Sequence, residues 1–177
     1  CLENHGFKVV AVSDSKGCLY NPKGINYEEI YKVKIEKGSV IFGKGKKLLG
    51  EKIFELPVDV LIPAALSDSI NKKNMHKIKA KIIVEAANIP ISLDVEEILS
   101  RRILIIPDFV ANAGGVISSY VEYIGKGEKY TKKLIMEKLC KNTDLVLKRA
   151  FKKKISPRKA GMEIAMSRIR RAMKNRD

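Results

Sequence analysis

The sequence predicts an α/β protein, with an open, doubly wound, mostly parallel sheet followed by C-terminal helices. Two patterns lead to this fold class. Up to residue 106, apolar runs of strand length alternate with amphipathic stretches of helix length, which is the order of a parallel sheet with right-handed crossovers. After residue 114 no further strand is indicated and only long helical stretches follow. With 177 residues, 45% of them hydrophobic, the chain can bury a substantial core.

The first predicted strand and helix lie near the N-terminus. Residues 8–13 are a continuous apolar run that ends in polar residues, as buried parallel strands do. A turn is expected at residues 21–24. Asn26 is then placed to cap a helix, with Glu29 three residues later as in a capping box, and Gly38 is placed to end it.

Three more strands alternate with two helices. The strands are expected at residues 58–62, 81–85 and 103–106. The helices are expected at residues 71–77 and 92–100, with Ser92 as the N-cap of the second. Ligands of such sheets bind at the carboxyl ends of the strands, so we expect the functional residues along that one edge.

The C-terminal part is predicted to be entirely helical, with helices at residues 114–124, 131–151 and 157–175. Ser156 is the expected N-cap of the last helix, and its apolar stripe, expected to face the core, consists of Met162, Ala165, Ile169 and Met173. We divide the chain at the flexible residues 125–127. Residues 1–124 then carry the sheet, and residues 125–177 form a helical extension that packs on the same domain.

Charge and composition argue against several classes of protein. Lys and Arg number 35 against 20 Asp and Glu, a net charge of +15, but the basic clusters are scattered and no aromatic residues alternate with them. This favours a solvated, lysine-rich surface over a nucleic-acid site. Cys1, Cys18 and Cys140 indicate neither a disulfide framework nor a metal site. No apolar run reaches the roughly 18 residues of a membrane helix and no signal peptide is evident, so we expect a cytosolic protein.

The segment Asn112-Ala113-Gly114-Gly115-Val116 follows the fourth predicted strand directly. Two glycines at a helix entrance leave backbone N–H groups and a positive dipole end open to a polar or anionic ligand, although a tight turn without a ligand explains them equally well. Asp14, at the end of the first strand, is placed to accept both ribose hydroxyls of an adenosine, or else is a turn residue. Asn88 and Asn112 offer donor and acceptor atoms that suit a carboxamide, or else stabilise their own turns.

Several segments together carry a family resemblance; they are residues 9–17, 20–24, 38–40, 59–65, 79–85, 106–108 and 112–116. In order and spacing they resemble the cofactor domain of glutamate dehydrogenase, especially of archaeal forms, over nearly the whole chain. The resemblance implies a partial, Rossmann-like dinucleotide-binding domain within residues 1–124. It also implies oxidative deamination of L-glutamate to 2-oxoglutarate and ammonia, with hydride transfer to NAD or NADP.

Matching positions imply roles for individual residues. Asp14 would hold the adenosine ribose, while Asn88 and Asn112 would address the nicotinamide half. Residues lining the path of the cofactor would be Pro63, Ala64 and Ala65. Ser119 matches the family serine that binds the side-chain carboxylate of the substrate. Lys16 could neutralise a 2′-phosphate whereas Asp14 favours NAD, so both cofactors stay open.

The chain also departs from the family pattern. The glycine-rich loop is missing, and so is the substrate domain with the catalytic lysine and aspartate and most hexamer contacts. We therefore expect no catalytic residue and no activity in this segment, and a homo-oligomer only if the missing domain is present. Ile89 replaces the glycine of an Asn-Gly-Pro turn, Ala86 replaces another glycine, and Ile117 stands where Thr is common. Ile at a position that needs positive φ costs about 1 kcal/mol or more.

Two other functions stay open. A branched-chain or aromatic amino-acid dehydrogenase acting on leucine, valine or phenylalanine shares the Asn-Ala-Gly-Gly signature. A non-enzymatic basic remnant would bind polyanions instead. The chain could equally be a crop of a longer enzyme, a truncated gene product or a relic.

Overall fold

The computed structural model describes residues 2–175, so Cys1 lies outside the described residues. In chain order the strands and α-helices are β1 (Ala11–Asp14), β2 (Gly17–Tyr20), α1 (Tyr27–Lys37), β3 (Lys46–Leu48), β4 (Val60–Leu61), β5 (Ile82–Val84), α2 (Leu93–Leu99), β6 (Leu104–Ile106), α3 (Asp108–Ala111), α4 (Gly114–Tyr123), α5 (Glu128–Lys153) and α6 (Pro157–Lys174). Within residues 2–175, none of the helices has the length and apolar character needed to cross a membrane.

The chain forms two compact units. The first unit contains the chain up to Pro57 together with Lys77–Lys79, and the second unit contains Val58–His76 and the chain from Ala80 onward. The division at residue 124 concerns sequence domains and stays a prediction.

The first unit is built on an antiparallel sheet with the strand order β1-β2-β3. The prediction that residues 8–13 form a parallel strand of the main sheet is wrong. Ser15 and Lys16 make a two-residue turn, in which the Lys16 N–H donates to Asp14 Oδ1 at 3.0 Å, and the chain folds back to pair β1 with β2. Pairing with the next segment closes a very short loop, which has a small entropic cost.

Helix α1 begins and ends where the sequence predicts. The side chain of Asn26 accepts the Glu29 N–H at 3.0 Å, and Gly38 follows the helix with φ of +73°. These are the N-cap hydrogen bond and the left-handed C-terminal residue expected from local sequence. Both signals depend only on residues near the helix end, which is why sequence alone reveals them.

The second unit contains a parallel sheet with the order β4-β5-β6, which confirms a mixed α/β fold with a parallel sheet. Helix α2 connects β5 to β6, and Ile83 and Ile105 in the two strands are fully buried. The Ser92 hydroxyl bonds to Asp94 instead of capping α2. The helix predicted at residues 71–77 is only a 3-10 turn at Met75–Lys77.

Side-chain hydrogen bonds explain the missing helix at residues 71–77. The side chain of Asn74 accepts the Asn71 N–H at 2.9 Å and donates to the Ser69 carbonyl at 2.8 Å. Such bonds offer the backbone an alternative to helical pairing.

Helices α5 and α6 pack against β6 and α3. Their shared core consists of Ile106, Val110, Val146, Ala150, Ala160 and Ile164. The stripe predicted for α6 is wrong: Met162, Ile169 and Met173 are 51%, 53% and 64% exposed. The buried face of α6 is instead the one that carries Ala160, Gly161 and Ile164, because small residues let the helix approach Phe109 and Val110 closely.

Candidate functional site

The entrance to α4 is open. Ala113 occupies the N-cap position without a capping hydrogen bond from its side chain. A Cβ atom at Gly115 would meet no atom of the described chain within 4 Å, and one at Gly114 would lie 3.7 Å from Ile135, an ordinary contact. Neither glycine has a positive φ. Packing within the described chain therefore does not require glycine at either position, and the space next to Gly115 is free for a ligand.

Asn88 and Asn112 form a direct pair at this entrance. Asn112 Nδ2 donates to Asn88 Oδ1 at 2.7 Å and to the Ala87 carbonyl at 3.3 Å. Among residues 2–175, Asn88 Nδ2 and Asn112 Oδ1 have no hydrogen-bond partner. The pair therefore presents one free donor and one free acceptor.

The turn that carries Asn88 is strained and held from several sides. Ile89 has φ of +46°, in the left-handed region that β-branched residues avoid. Its N–H donates to Asp108 Oδ2 at 3.0 Å, and its carbonyl accepts the Asp68 N–H at 3.0 Å. The Ser67 hydroxyl donates to the Asn88 carbonyl at 2.7 Å. These bonds keep the Asn88 side chain next to Asn112.

Pro63 ties the end of β4 to the same turn. Its carbonyl accepts the N–H groups of Ala86 and Ala87 at 3.1 and 2.9 Å. Pro63 is buried, while Ala64 and Ala65 are exposed. Ser119 lies exposed on α4, one turn beyond Gly115, and its hydroxyl donates to the Gly115 carbonyl at 3.3 Å.

Behind the asparagine pair lies an ion cluster that the sequence analysis did not predict. Arg158 donates from Nε to Glu96, from Nη2 to Glu85 at 2.8 Å and from Nη1 to Asp108 at 3.2 Å. The side chains of Glu85, Glu96 and Asp108 are 0%, 5% and 12% exposed. One sequence signal points to it: Arg158 lies in the first turn of α6, where the helix dipole disfavours a cation, so a carboxylate partner elsewhere in the chain is expected.

The cluster holds three carboxylates against one guanidinium. Burial raises the pKa of Glu85 to about 7, and the neighbouring charges of Glu96 and Asp108 add to the effect, although the Asp108 N–H and Arg158 oppose it. Burial also raises the pKa of Glu96. Glu85 Oε2 accepts two hydrogen bonds, whereas its buried Oε1 has no partner among the described residues. Near neutral pH, Glu85 is therefore protonated to a greater extent than an ordinary glutamate.

Asp14 lies in the first unit, at the end of β1. Its Oδ1 accepts the Lys16 N–H and the Ser39 hydroxyl, both at 3.0 Å; its Oδ2 accepts Lys34 Nζ at 2.6 Å and the Val40 N–H at 3.0 Å. Burial alone would raise the pKa of Asp14, but these four donors hold it well below its usual range. All four acceptor positions of the carboxylate are filled by the protein itself.

Comparison with known proteins identifies the family. Residues 1–177 match the family model described as glutamate/leucine/phenylalanine/valine dehydrogenase. The chain belongs to this dehydrogenase family.

Curated members of the dehydrogenase family show how much of such an enzyme the chain covers. It is 42% identical to the glutamate dehydrogenase of Thermotoga maritima, over 97% of this chain and 43% of that protein. It is 39% identical to the NADP-specific glutamate dehydrogenase of Saccharolobus shibatae, over 99% of this chain and 44% of that protein. The chain therefore spans less than half the length of these relatives.

A solved dehydrogenase has the same fold. The hetero-hexameric glutamate dehydrogenase of Thermus thermophilus, in its leucine-bound form, superposes with a TM-score of 0.84 at 25% identity, over 99% of this chain and 43% of that one. The antiparallel strands of the first unit and the parallel sheet of the second are thus consistent with membership of this dehydrogenase family.

Proposed function

We propose that this chain is the C-terminal, NAD(P)-binding portion of a dehydrogenase that deaminates L-glutamate to 2-oxoglutarate and ammonia. In this proposal, residues 1–124 correspond to a truncated, Rossmann-like dinucleotide-binding domain and residues 125–177 to a helical extension packed on it. A bound cofactor would supply the hydride acceptor. The cytosolic location expected from the sequence, and a homo-oligomer that also requires the substrate domain, remain predictions.

One observation carries the proposal. Asn88 Nδ2 and Asn112 Oδ1 are the free donor and free acceptor of a hydrogen-bonded pair, as described above. A primary carboxamide has one carbonyl acceptor and an NH₂ donor, so it can satisfy both atoms at once. The nicotinamide ring carries this group, and the open space at Gly115 leaves room for it. Ser119, on the exposed surface of α4, is the proposed contact for the substrate carboxylate.

Asp14 is the proposed contact for the adenosine ribose, and this role requires an exchange of partners. Since its carboxylate already accepts four hydrogen bonds, a ribose hydroxyl has to displace one donor. Lys34 is the donor we expect to leave, because its side chain is 41% exposed and its ammonium can return to water. A released Lys34, or Lys16, could then accompany a 2′-phosphate, so we keep both NAD and NADP.

The choice of substrate rests on the relatives and not on the asparagine pair. The family includes enzymes that act on leucine, phenylalanine and valine, and such an enzyme is the alternative. Both relatives described above are glutamate dehydrogenases, which supports L-glutamate. Both alternatives predict the same nicotinamide contact.

Titration of the 177-residue chain with nicotinamide mononucleotide tests the cofactor contact. We expect the side-chain amide NMR signals of Asn88 and Asn112 to shift on binding, and Asn112→Ala to weaken binding about tenfold, or about 1.4 kcal/mol. Asn142→Ala is the matched control, since Asn142 of α5 accepts a hydrogen bond from Arg168 of α6, away from the asparagine pair. The proposal fails if no amide signal of the pair responds, or if the two variants bind equally.

A further inference from the structure

The asparagine pair depends on a residue from the other end of the sequence. We propose that Arg158 of α6 is a positioning residue for the Asn88 and Asn112 pair, acting through Asp108 and Glu85. This inference rests on the proposed cofactor contact for its functional meaning. Its structural claim, that Arg158 sets the geometry of the pair, stands separately.

Asp108 accepts hydrogen bonds from the backbone on both sides of the pair, at Ile89 and at Asn112. Its Oδ2 accepts the N–H of Ile89, the residue next to Asn88, at 3.0 Å. Its backbone carbonyl accepts the N–H of Asn112 at 2.7 Å. A shift of the Asp108 side chain relative to its backbone therefore changes the position of the Asn88 turn relative to Asn112.

Arg158 fixes Asp108 in two ways. It donates directly to Asp108 Oδ1 at 3.2 Å, which leaves Oδ2 directed at Ile89. It also donates at 2.8 Å to Glu85 Oε2, and this same oxygen accepts the Asp108 N–H at 2.8 Å. A planar guanidinium can make these contacts together with the one to Glu96, whereas an ammonium is a single point charge.

Removing Arg158 would leave the three carboxylates of the cluster facing one another in a largely dry environment. Their mutual repulsion would drive protonation or movement. Asp108 is the most exposed of the three, so it is the one that can turn outwards. That movement would remove one of the three hydrogen bonds that hold the turn at Ile89, and so loosen the placement of Asn88 next to Asn112.

The same geometry couples the pair to the charge of Glu85. The charged groups that face Glu85 are Arg158 from α6, Glu96 from α2 and Asp108 from α3. Loss of the Glu85 proton strengthens its attraction for Arg158 and its repulsion of Asp108. A change at Glu85 should therefore be detectable at the Asn88 and Asn112 amides, which form no hydrogen bond with Glu85 among the described residues.

The test uses the 177-residue chain and two readouts, the side-chain amide signals of the asparagine pair and the dissociation constant of nicotinamide mononucleotide. We expect Arg158→Met to shift both amide signals and to weaken binding about tenfold or more. Arg158→Lys should shift the amide signals and weaken binding nearly as much, because an ammonium lacks the planar fork of donors that fits these three carboxylates. Guanidinium ions added to Arg158→Ala should move the signals back towards the unaltered chain, whereas ammonium ions should not.

Arg149→Met is the matched control, since Arg149 reaches Glu163 of α6 at 3.9 Å outside the cluster. It should change neither readout. If the Arg158 variants do not fold, Glu85→Gln provides the second test. In the unaltered chain the two amide signals should shift with pH around a midpoint near 7, and in Glu85→Gln this transition should disappear.

The outcomes separate the two proposals. If the amide signals respond to Arg158 and Glu85 but nicotinamide mononucleotide does not bind, the positioning role stands and the cofactor contact fails. If the ligand binds to the pair but Arg158→Met leaves both readouts as in Arg149→Met, the positioning role is overturned. Absence of the pH transition in the unaltered chain would equally contradict the coupling to Glu85.

Discussion

Ile89 holds its turn in a backbone conformation that β-branched residues avoid. Its φ of +46° agrees with the expectation that the corresponding family position is a glycine, and its side chain is 59% exposed, so it contributes little burial. Three hydrogen bonds to the turn, from Ser67, to Asp108 and from Asp68, explain how the strain is sustained. The residue is therefore a site where stability can be gained.

We predict that Ile89→Gly raises the free energy of unfolding by about 1 kcal/mol. Relief of the left-handed strain, about 1–2 kcal/mol, exceeds the extra conformational entropy that glycine gains in the unfolded chain. Urea unfolding measures the change. Ile89→Val, which keeps the β-branch, should differ from the unaltered chain by less than about 0.5 kcal/mol. Equal effects of the two substitutions would show that the turn is not strained.

Two helical glycines should respond oppositely to the same substitution. A Cβ atom at Gly161 would lie 2.8 Å from the ring of Phe109, while one at Gly115 would lie in open space. We expect Gly161→Ala to lower the free energy of unfolding by about 1–2 kcal/mol, because crowding outweighs the better helix propensity of alanine. Gly115→Ala should leave stability unchanged or higher.

The Gly115 substitution has a second readout. If the space beside Gly115 receives the nicotinamide half, Gly115→Ala should weaken binding of nicotinamide mononucleotide although the protein is no less stable. Thermal unfolding and ligand titration of both glycine variants measure this. A lower stability of Gly115→Ala would mean that glycine is needed at this position for folding and not for ligand binding.

At the scale of elements, the Asp14 carboxylate joins three parts of the first unit. It lies at the end of β1, pairs with Lys34 of α1 and accepts the Val40 N–H at the start of the 3-10 turn Val40–Phe42. Its carboxylate is only 14% exposed, so these bonds are poorly screened by solvent. A single carboxylate therefore holds β1, α1 and this 3-10 turn together.

We predict that Asp14→Asn lowers the free energy of unfolding by about 2–3 kcal/mol. The amide cannot accept four hydrogen bonds, and its NH₂ group faces donors that it cannot satisfy. Asp59→Asn is the control, because Asp59 also pairs with a lysine at 2.8 Å but both side chains are about four-fifths exposed. Solvent screens that surface pair, so Asp59→Asn should change stability much less than Asp14→Asn. A small effect at Asp14 would favour a carboxylate that is free to bind ligands.

The sequence predicted helix ends better than strand partners. The caps at Asn26 and Ser156 depend on neighbours three residues away, and both hydrogen bonds are present. Strand β1 was predicted as an element, but its partner was not, because Gly17 and Cys18 in β2 and the two lysines of β3 show no strand pattern. A Cβ atom at Gly17 would lie 2.9 Å from the Leu48 carbonyl, so glycine there reflects close strand approach.

In the candidate site, too, features set by neighbouring residues could be predicted from sequence, and contacts between distant residues could not. Asn88 and Asn112 could be selected because polar residues at strand ends have a recognisable pattern. The Arg158 cluster could not, since Arg158 and Glu85 are 73 positions apart and meet only in the folded chain. The exposed stripe on α6 was assigned to the wrong face because Met and Ile resemble core residues in any amphipathic pattern.

For the whole molecule, the proposal assigns no catalytic residue to this chain. We therefore predict no glutamate-dependent formation of NADH or NADPH by the purified 177 residues, because hydride transfer requires substrate, nicotinamide and a proton acceptor to be held together. We also expect dinucleotide affinity weaker than about 1 μM, equivalent to about 8 kcal/mol. Absorbance at the reduced-nicotinamide band and calorimetry measure the two quantities. Steady formation of NADH or NADPH from glutamate would show that this chain does contain the catalytic residues.

The pH dependence of stability follows from the two buried carboxylate sites. The folded pKa of Glu85, about 7, is higher than its ordinary value of 4.5, so between these values the folded chain keeps a proton that the unfolded chain releases. The free energy of unfolding should therefore fall as the pH rises from about 4.5 to about 7, and Glu96 acts in the same direction. Asp14 has the opposite shift, so its contribution is present above its unfolded pKa and is lost only in more acidic solution.

We predict that stability is highest near pH 4–5 and declines towards pH 7, with a contribution from Glu85 of up to about 3 kcal/mol, the size of its pKa shift. Glu85→Gln should flatten this decline, because the amide carries no titrating proton and still accepts the Asp108 N–H. Glu55→Gln should retain it, since Lys52 lowers the pKa of Glu55 and its titration lies outside this range. Urea unfolding between pH 4 and pH 8 compares the three chains. Stability that is constant or rising from pH 5 to pH 7 in the unaltered chain would contradict a raised pKa of Glu85 in the folded chain.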